Sequence, residues 1–209
     1  MSIPRLLGHS FGDGYIHINK FYFIYTNTSD KLLRMVGDGV RTQFGTSQFC
    51  MRKSVGGTPQ VQFPAFVGRR LHELGAPRGP KSLQKTTIPD SIMRAPEPAK
   101  ADFLGALCDD EANVRTDPGS KQITIKAAKL VSLEPELDDY LNQIRRLFED
   151  LGIRCSDPRR DRTYVRNGRR KISKRIWITS RTEFATFARK IVLNHNERSA
   201  QLQTLLMPR

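Results

Sequence analysis

The stretch LGALCDDEA, residues 104–112, ends an apolar run with three consecutive acidic residues, the last of which is Glu111. Leu104, Leu107 and Cys108 are spaced as neighbours on one helix face, and Glu111 continues that face. The spacing therefore predicts a helix whose packed stripe ends in a carboxylate. A carboxylate at this position faces the negative end of the helix dipole, which costs on the order of 0.3–1 kcal/mol. Such an acid needs a favourable partner.

A second stretch, LLGHSFGDG at residues 6–14, has the same pattern. With an offset of 98 residues Asp13 aligns with Glu111, so one acid lies at the end of each predicted helix. Two carboxylates brought together by packing of these helices would repel each other, and a hard divalent cation, Mg²⁺ above all, would relieve the repulsion. The paired acids therefore predict a metal site. Small residues upstream would allow the close packing, namely Gly8, Gly12, Gly105 and Ala106.

The predicted elements follow the same order in both halves of the chain. Each half reads as helix, two strands, helix, two strands, helix, which predicts an α+β fold of two pseudo-symmetric αββαββα lobes. We assign residues 1–76 to an N-terminal lobe and residues 101–209 to a C-terminal lobe. Residues 77–100 are rich in proline and lack periodicity, so they are assigned to a linker.

The composition favours a nucleic acid partner. The chain has 35 Lys and Arg against 21 Asp and Glu, a net charge of +14, and such an excess attracts polyanions. The three cysteines, Cys50, Cys108 and Cys155, show no metal-binding spacing and fit a reducing compartment. No apolar run approaches the roughly 20 residues of a membrane span, and the N-terminus does not resemble a signal peptide. We expect a soluble protein of the cytoplasm or an organellar matrix, neither secreted nor membrane-bound.

LLGHSFGDG and LGALCDDEA resemble the two copies of the motif that names the LAGLIDADG homing endonucleases, and the resemblance covers essentially the whole chain. It implies a monomer in which the motif helices pack at the centre and two antiparallel sheets form a DNA-binding saddle. It also implies that Asp13 and Glu111 bind Mg²⁺, or another divalent cation such as Mn²⁺, with the carbonyl groups of Gly12 and Asp110 as further ligands. Asp109 would be a structural residue at the helix end.

The resemblance further implies polar or basic residues around the metals. The matching residue at the end of a strand in the first half is Asn27, and the candidates in the second half are Lys126 and Lys129. We expect Asn27 and Lys126 to join Asp13 and Glu111 in the catalytic set.

A saddle needs one sheet face towards the helices and the other towards DNA. Strand alternation predicts Phe49, Met51, Val61 and Phe63 on the helix side. Their polar alternates, and the corresponding residues of the second half, suit the reading of base edges in the major groove. These predicted DNA contacts are Gln48, Arg52, Gln60, Gln62, Gln122, Thr124 and Lys126.

Residues 159–175 contain nine Lys or Arg and one acid. The pair Asn167-Gly168 lies between two strand-like runs and is a strong hairpin signal. The segment predicts a basic two-stranded ribbon along the duplex, most of whose charges contact phosphates. Its predicted DNA-binding residues are Tyr164, Arg166, Arg169, Arg170, Lys171, Lys174 and Arg175.

The resemblance implies a site-specific endonuclease that hydrolyses phosphodiester bonds in both strands of a long double-stranded DNA target and leaves short 3′ overhangs. The lack of splicing residues at the chain ends favours a freestanding, intron-encoded protein over a self-splicing intein. Two alternatives with the same fold remain open. One is an RNA maturase that binds intron RNA and assists splicing, and the other is a catalytically inactive DNA-binding regulator. Retention of both motif acids favours cleavage over the regulator.

Overall fold

The computed structural model describes residues 1–207, which form two lobes with the same order of elements, the second extended by one further helix. The first lobe contains α1 (Ile3–Phe11), β1 (Gly14–Ile16), β2 (Phe23–Thr26), α2 (Asp30–Phe44), β3 (Cys50–Lys53), β4 (Pro59–Phe63) and α3 (Ala65–Glu73). A short helix, α4 (Asp90–Met93), precedes the second lobe. The second lobe contains α5 (Glu97–Glu111), β5 (Ala112–Arg115), β6 (Gln122–Leu130), α6 (Glu134–Asp150), β7 (Arg159–Arg166), β8 (Arg169–Ile178), α7 (Arg181–Lys190) and α8 (Asn196–Leu206). None of the described helices is both long enough and apolar enough to cross a membrane.

Each lobe contains one antiparallel four-stranded sheet, and the two sheets have equivalent strand orders. The orders are β1-β2-β4-β3 in the first lobe and β5-β6-β8-β7 in the second. Apolar residues on one face of each sheet are buried, such as Phe23 and Val61 in the first and Ile125 and Ile176 in the second. The predicted α+β fold with two pseudo-symmetric lobes is confirmed.

Local sequence signals explain where several elements begin and end. The Ser2 hydroxyl oxygen accepts a hydrogen bond from the Arg5 backbone N–H at 3.3 Å, and Pro4 occupies the first turn of α1. Ser29 caps α2 in the same way, and α2 ends at Gly45, whose φ of 65° is left-handed. These caps set the direction in which the chain enters and leaves each helix.

The basic hairpin turns at the predicted position. Asn167 and Gly168 have φ values of 51° and 69°, as a type I′ turn requires. From this turn, β7 and β8 stay paired as far as Arg159 and Arg175, with one bulge on the way. The sequence therefore forms one continuous basic ribbon at the edge of the second sheet.

The motif helices α1 and α5 pack against each other at the centre of the molecule. A Cβ atom built on Gly8 would lie 2.3 Å from the carbonyl oxygen of Phe103 and 2.7 Å from the Cβ atom of Ala106. Glycine is therefore needed at Gly8 for this approach. Leu6 and Leu104, on the same two helices, are completely buried.

The segment between the lobes has more regular structure than its prolines predict. It contains a 3-10 turn at Lys81–Leu83 as well as α4. Residues 97–100, at the end of the predicted linker, form the beginning of α5. Pro98 occupies the first turn of α5, where a missing backbone N–H leaves no intrahelical bond unmade.

The outer edge of the first sheet differs from the predicted core. Val61 and Phe63 are buried, whereas Phe49 is 48% exposed and Met51 is 56% exposed. Met51 pairs with Val61 across the ladder, but a groove of about 330 Å³ separates it from α2. Phe49 and Met51 line this groove on the side of α2, as predicted, but they are not core residues, because α2 does not close over the edge strand.

Candidate functional site

The two motif acids lie in one open cleft beside the carboxyl-terminal ends of α1 and α5. Asp13 and Glu111 line this cleft together with Lys81 and Lys126, and its volume is about 560 Å³. Each acid comes from a different lobe, so the cleft lies where the lobes meet. The structure therefore brings together residues that are 98 positions apart in the chain.

Asp13 has a polar partner from its own lobe. The Asn27 amide donates to Asp13 Oδ2 at 2.8 Å and to the Tyr25 hydroxyl oxygen at 3.3 Å. Asn27 Oδ1 accepts from the Ser29 backbone N–H at 2.8 Å, which fixes the orientation of the amide. The buried Asn27 side chain is therefore in place to orient the Asp13 carboxylate.

The surroundings of Glu111 are different. The strand registers of the two lobes make Ala127 the counterpart of Asn27, and Lys126 the counterpart of Thr26. Alanine cannot donate a hydrogen bond from its side chain, so the second lobe lacks the amide that the first lobe offers to its acid. The site is pseudo-symmetric in its acids and asymmetric in the groups around them.

Asp110 is a buried acid that joins the two motif helices. Its Oδ2 atom lies 3.0 Å from His9 Nδ1 and accepts from the Asp13 backbone N–H at 3.1 Å. Its Oδ1 atom accepts from the Tyr25 hydroxyl at 2.6 Å. Sequence reasoning assigned Asp110 only a carbonyl role and missed this network. The sequence signal was the alignment of Asp110 with Gly12 of the first motif, an acid opposite a residue without a side chain. In the structure a Cβ atom on Gly12 would lie 2.4 Å from Asp110 Oδ2.

Asp109 has a structural role, as the motif resemblance implies. Its Oδ2 atom lies 2.7 Å from the Arg5 guanidinium, and both residues are buried. Its Oδ1 atom accepts from the backbone N–H groups of Asn194 and His195 at 2.6 and 2.8 Å. Asp109 therefore ties α1 and the residues before α8 to α5.

Basic side chains contact both of the carbonyl groups that were predicted as metal ligands. Lys81 Nζ contacts the Gly12 carbonyl oxygen, and Arg198 Nη2 donates to the Asp110 carbonyl oxygen at 3.0 Å. Positive groups are favourable there because they face the negative ends of the helix dipoles. Sequence reasoning missed both residues, because Lys81 lies in the linker and Arg198 lies in α8, far from either motif.

The electrostatic environment disfavours ionised acids in the cleft. Burial, followed by the nearby charges of Asp110 and Glu111, raises the pKa of Asp13 to about 7. Glu111 keeps exposed surface because the cleft is open, but the surrounding protein replaces much of its water and raises its pKa as well. Lys81 and Arg198 act in the opposite direction on both acids. The two carboxylates would therefore gain from a further cation.

The oxygen atoms in the cleft suit a hard divalent cation. Mg²⁺ and Mn²⁺ bind carboxylate and carbonyl oxygens. Asp13, Glu111 and Gly12 line the cleft, whereas the Asp110 carbonyl oxygen accepts from Arg198. Within residues 1–207, no group of three or more His, Cys, Asp or Glu side chains is arranged as a metal site. An ion held by the two acids would therefore take its remaining ligands from carbonyl groups, water or a bound phosphate.

The two candidate lysines of the second lobe have different environments. Lys126 is exposed at the cleft, with Nζ 3.2 Å from Asp161 Oδ2. Lys129 is buried, and its Nζ donates to the carbonyl oxygens of Lys81 and Gln84 at 2.9 and 2.6 Å. Burial lowers the pKa of Lys129 to about 8. Lys126 therefore faces the cleft, whereas Lys129 anchors the linker.

The open face of the first sheet carries three of its four predicted DNA contacts. Gln60 pairs with Arg52 across the ladder, and Gln62 alternates with the buried Val61 on β4. Gln48 is exposed but precedes β3, so the ladder does not fix the direction of its side chain.

The open face of the second sheet is strongly basic. Lys126, Arg175 and Arg159 are neighbours across β6, β8 and β7. Strand alternation places Lys171 and Arg169 on the same face of β8. The other predicted contacts on this face are Gln122, Tyr164 and Arg166.

Two arginines on this face were absent from the predicted set. The Arg159 guanidinium lies 5.5 Å from the centre of the Trp177 ring, and the Arg162 guanidinium lies 5.1 Å from that of Tyr164. These cation–π contacts hold the guanidinium groups along the ribbon. A count of basic residues in the segment includes both, but it does not show which of them share a face.

Three predicted DNA contacts are not exposed on this face. Lys174 lies on the helix-covered face of β8, where its Nζ pairs with Asp138 at 2.7 Å. Thr124 is only 1% exposed. Arg170 alternates with Lys171 and is directed to the opposite face of the hairpin, although it is exposed near the tip. The assignments of Lys174 and Arg170 were wrong because they treated the basic segment as a whole and did not separate its two faces. Thr124 shares the face of Lys126 by strand alternation but is covered.

Comparison with models of protein families finds no match. Among curated proteins, the chain is 29% identical over 123 residues to a tRNA-splicing ligase RtcB from Pyrococcus furiosus, covering 58% of this chain and 12% of that protein. It is 24% identical over 208 residues to the tRNA-splicing ligase RtcB from Pyrococcus abyssi, covering 91% of this chain and 22% of that protein. The chain thus spans less than a quarter of the length of the curated relatives it matches.

Solved structures with the same fold include those of the homing endonuclease I-DmoI. A structure of its mesophilic variants superposes with a TM-score of 0.60 at 13% identity, covering 90% of this chain and 93% of that one. A structure of I-DmoI in complex with DNA and Mn gives a TM-score of 0.59 at 13% identity, covering 90% and 94%. The chain therefore has the two-lobed LAGLIDADG fold, with one motif helix from each lobe at its centre.

Proposed function

We propose that this protein is a site-specific endonuclease that cuts both strands of double-stranded DNA by metal-dependent phosphodiester hydrolysis. The observation that carries the proposal is the placement of Asp13 and Glu111, one from each lobe, in a single cleft beside a basic sheet face. Acids in such a place do not stabilise the fold, since burial and repulsion from neighbouring carboxylates raise their pKa values. A catalytic role for the pair explains this arrangement.

The residues of the cleft would divide the chemistry among them. Asp13 and Glu111 would hold Mg²⁺ or Mn²⁺, with oxygen from the Gly12 and Asp110 carbonyl groups. A divalent ion bound there would supply a water of lowered pKa and stabilise charge on the phosphate. Asn27 would keep the Asp13 carboxylate oriented. Lys126, exposed at the same cleft, would offer a positive charge to the phosphate.

The open sheet faces would bind the duplex on either side of the cleft. Basic side chains on the second sheet would contact phosphates and set the register of the protein on DNA. Glutamine and arginine side chains on the first sheet would contact base edges. The proposed DNA-binding residues are Arg52, Gln60, Gln62, Gln122, Lys126, Arg159, Arg162, Tyr164, Arg166, Arg169, Lys171 and Arg175, with Gln48 at the margin.

The direct experiment is cleavage of a library of double-stranded DNA with randomised sequence. With Mg²⁺, the protein should produce double-strand breaks at one enriched site, with short 3′ overhangs when the ends are sequenced. EDTA should abolish the breaks. Loss of Mg²⁺ dependence, or breaks without sequence preference, would contradict the proposal.

A role on RNA is the second candidate, because both curated proteins matched in sequence are named tRNA-splicing ligases. The match covers only 12% and 22% of those two proteins, so it does not by itself carry their activity over to this chain. Competition between a selected DNA duplex and structured RNA for the protein discriminates the two. Preferential binding of RNA, with RNA joining or assisted splicing, would favour the second candidate.

A further inference from the structure

The linker places one lysine in an unusual position at the end of α1. Lys81 Nζ donates to the carbonyl oxygens of Ser10, Phe11 and Gly14 at 3.2, 2.9 and 2.9 Å, and it also contacts the carbonyl oxygen of Gly12. An ammonium group has three N–H donors, so four carbonyl oxygens surround it as ligands surround a cation. The position is a small cation site filled by a side chain.

This site overlaps the position proposed for the metal. The Gly12 carbonyl group is one of the oxygens assigned to the divalent ion, and Asp13 is the next residue in the chain. Lys81, Asp13 and Glu111 all line the same cleft. An ammonium and a divalent ion repel each other and need the same oxygen atoms, so both cannot bind the Gly12 carbonyl group at full strength.

The second lobe holds the lysine-bearing turn in place. Lys129 Nζ donates to the Lys81 carbonyl oxygen at 2.9 Å and to the Thr86 hydroxyl oxygen at 2.8 Å. Lys171 Nζ, on the basic open face, donates to the Ser82 hydroxyl oxygen at 2.8 Å. The turn and the residues that follow it are thus attached to the second sheet through two lysine side chains, Lys129 and Lys171.

We propose that Lys81 is a built-in occupant of the first-motif cation position and that a divalent ion binds fully to Asp13 only when the Lys81–Leu83 turn moves away. This inference rests on the proposed metal site at Asp13 and Glu111. It assigns the linker a regulatory contact in addition to its role in joining the lobes. Removal of the ammonium group should strengthen metal binding even though it removes a favourable helix-end contact.

The test is calorimetric titration of Mn²⁺ into the DNA-free protein after treatment with EDTA. Lys81→Met should bind Mn²⁺ at least about tenfold more tightly than the unmodified protein. Lys85→Met is the matched control, because Lys85 is an exposed lysine in the same linker, and its affinity should be unchanged. Asp13→Asn should weaken Mn²⁺ binding both in the otherwise unmodified protein and in combination with Lys81→Met.

Hydrogen exchange on the unmodified protein provides a measurement that does not depend on the folding of a variant. Saturating Mn²⁺ should increase exchange in residues 80–86, because the turn is displaced. Unchanged or weaker Mn²⁺ affinity in Lys81→Met, or unchanged exchange in the linker, overturns the inference while leaving the metal site intact. Absence of Mn²⁺ binding in both the unmodified protein and Lys81→Met overturns the metal site and this inference with it.

Discussion

At the scale of single residues, the cleft concentrates charges that are costly to hold together. Burial raises the pKa of Asp13 to about 7, while Asp110 is kept in place by His9, Tyr25 and a backbone N–H. The motif sequence predicted that Asp13 and Glu111 form a pair, because their spacing repeats in both halves. It could not predict the partners of Asp110, which come from positions whose proximity depends on how the lobes pack.

Asp13→Asn should make the metal-free protein more stable, and the gain should grow with pH. Between about pH 4 and pH 7 the folded state holds a proton that the unfolded chain has lost, so stability falls as pH rises across this window. The amide carries no charge and avoids this loss. Melting in EDTA should show a larger rise in Tm at about pH 8 than at about pH 5, with about 2–4 °C for each kcal/mol gained. Asp117→Asn is the control, because Asp117 is exposed, and its Tm should show no such trend. A rise in Tm of Asp13→Asn that is equal at both pH values would contradict the raised pKa of Asp13 as its cause.

Tyr25→Phe should destabilise the protein by about 1.5–3 kcal/mol, since it removes a donor from a buried carboxylate. The Tyr25 hydroxyl is 2.6 Å from Asp110 Oδ1, and the change leaves the ring intact. Tyr15→Phe, a change at a half-buried tyrosine on β1, should have little effect on urea unfolding. Similar losses in both variants would show that the Asp110 network is not responsible.

At the scale of elements, the motif helices and the basic hairpin have the clearest sequence signals. The apolar spacing of α5 and the Asn167-Gly168 turn were predicted because the information is local. The burial of Lys174 and the exposure of Met51 were not predicted. These depend on which sheet face a helix covers, and strand alternation alone does not fix this at an edge strand or near a bulge.

Gly8→Ala should push α1 and α5 apart and lower stability by about 1–3 kcal/mol. The reason is steric, because the added Cβ atom would meet the Phe103 backbone at 2.3 Å. Gly37→Ala in α2 is a matched control, since nothing lies within 4 Å of its Cβ position. That change should stabilise by about 0.4–1 kcal/mol through its helix propensity. Chemical unfolding of both variants measures the contrast, and equal effects would rule out close helix contact at Gly8.

The double variant Arg166→Ala/Arg169→Ala should weaken DNA binding with little dependence on sequence. These residues pair across the hairpin on the open face, so each is placed to contact a phosphate. The negative slope of log K for DNA binding against log salt concentration should become shallower by about 0.9 for each lost phosphate contact. Arg41→Ala/Arg70→Ala removes the same charge from α2 and α3 and provides the control. A slope that changes equally in both double variants would show a general charge effect and no specific ribbon contact.

At the scale of the whole molecule, the repeat within the chain is the feature from which the rest follows. Two similar lobes place similar helices at their interface, and this interface places one acid from each lobe in a shared cleft. The repeat was visible in the sequence because both motifs and both element orders are preserved. The cations that complete the cleft, Lys81 and Arg198, were not visible, since they come from the linker and α8 and have no counterparts in a repeated motif.

The central claim is that Asp13 and Glu111 act as a pair in one DNA-cleaving site. The most direct measurement is strand-resolved cleavage of a selected DNA duplex in Mg²⁺ by the unmodified protein, Asp13→Asn and Glu111→Gln, with DNA affinity measured in parallel. We predict double-strand breaks by the unmodified protein only, with DNA binding retained by both variants. Double-strand breaks at the unmodified rate by either variant, or no breaks by the unmodified protein on DNA that it binds, would contradict the claim.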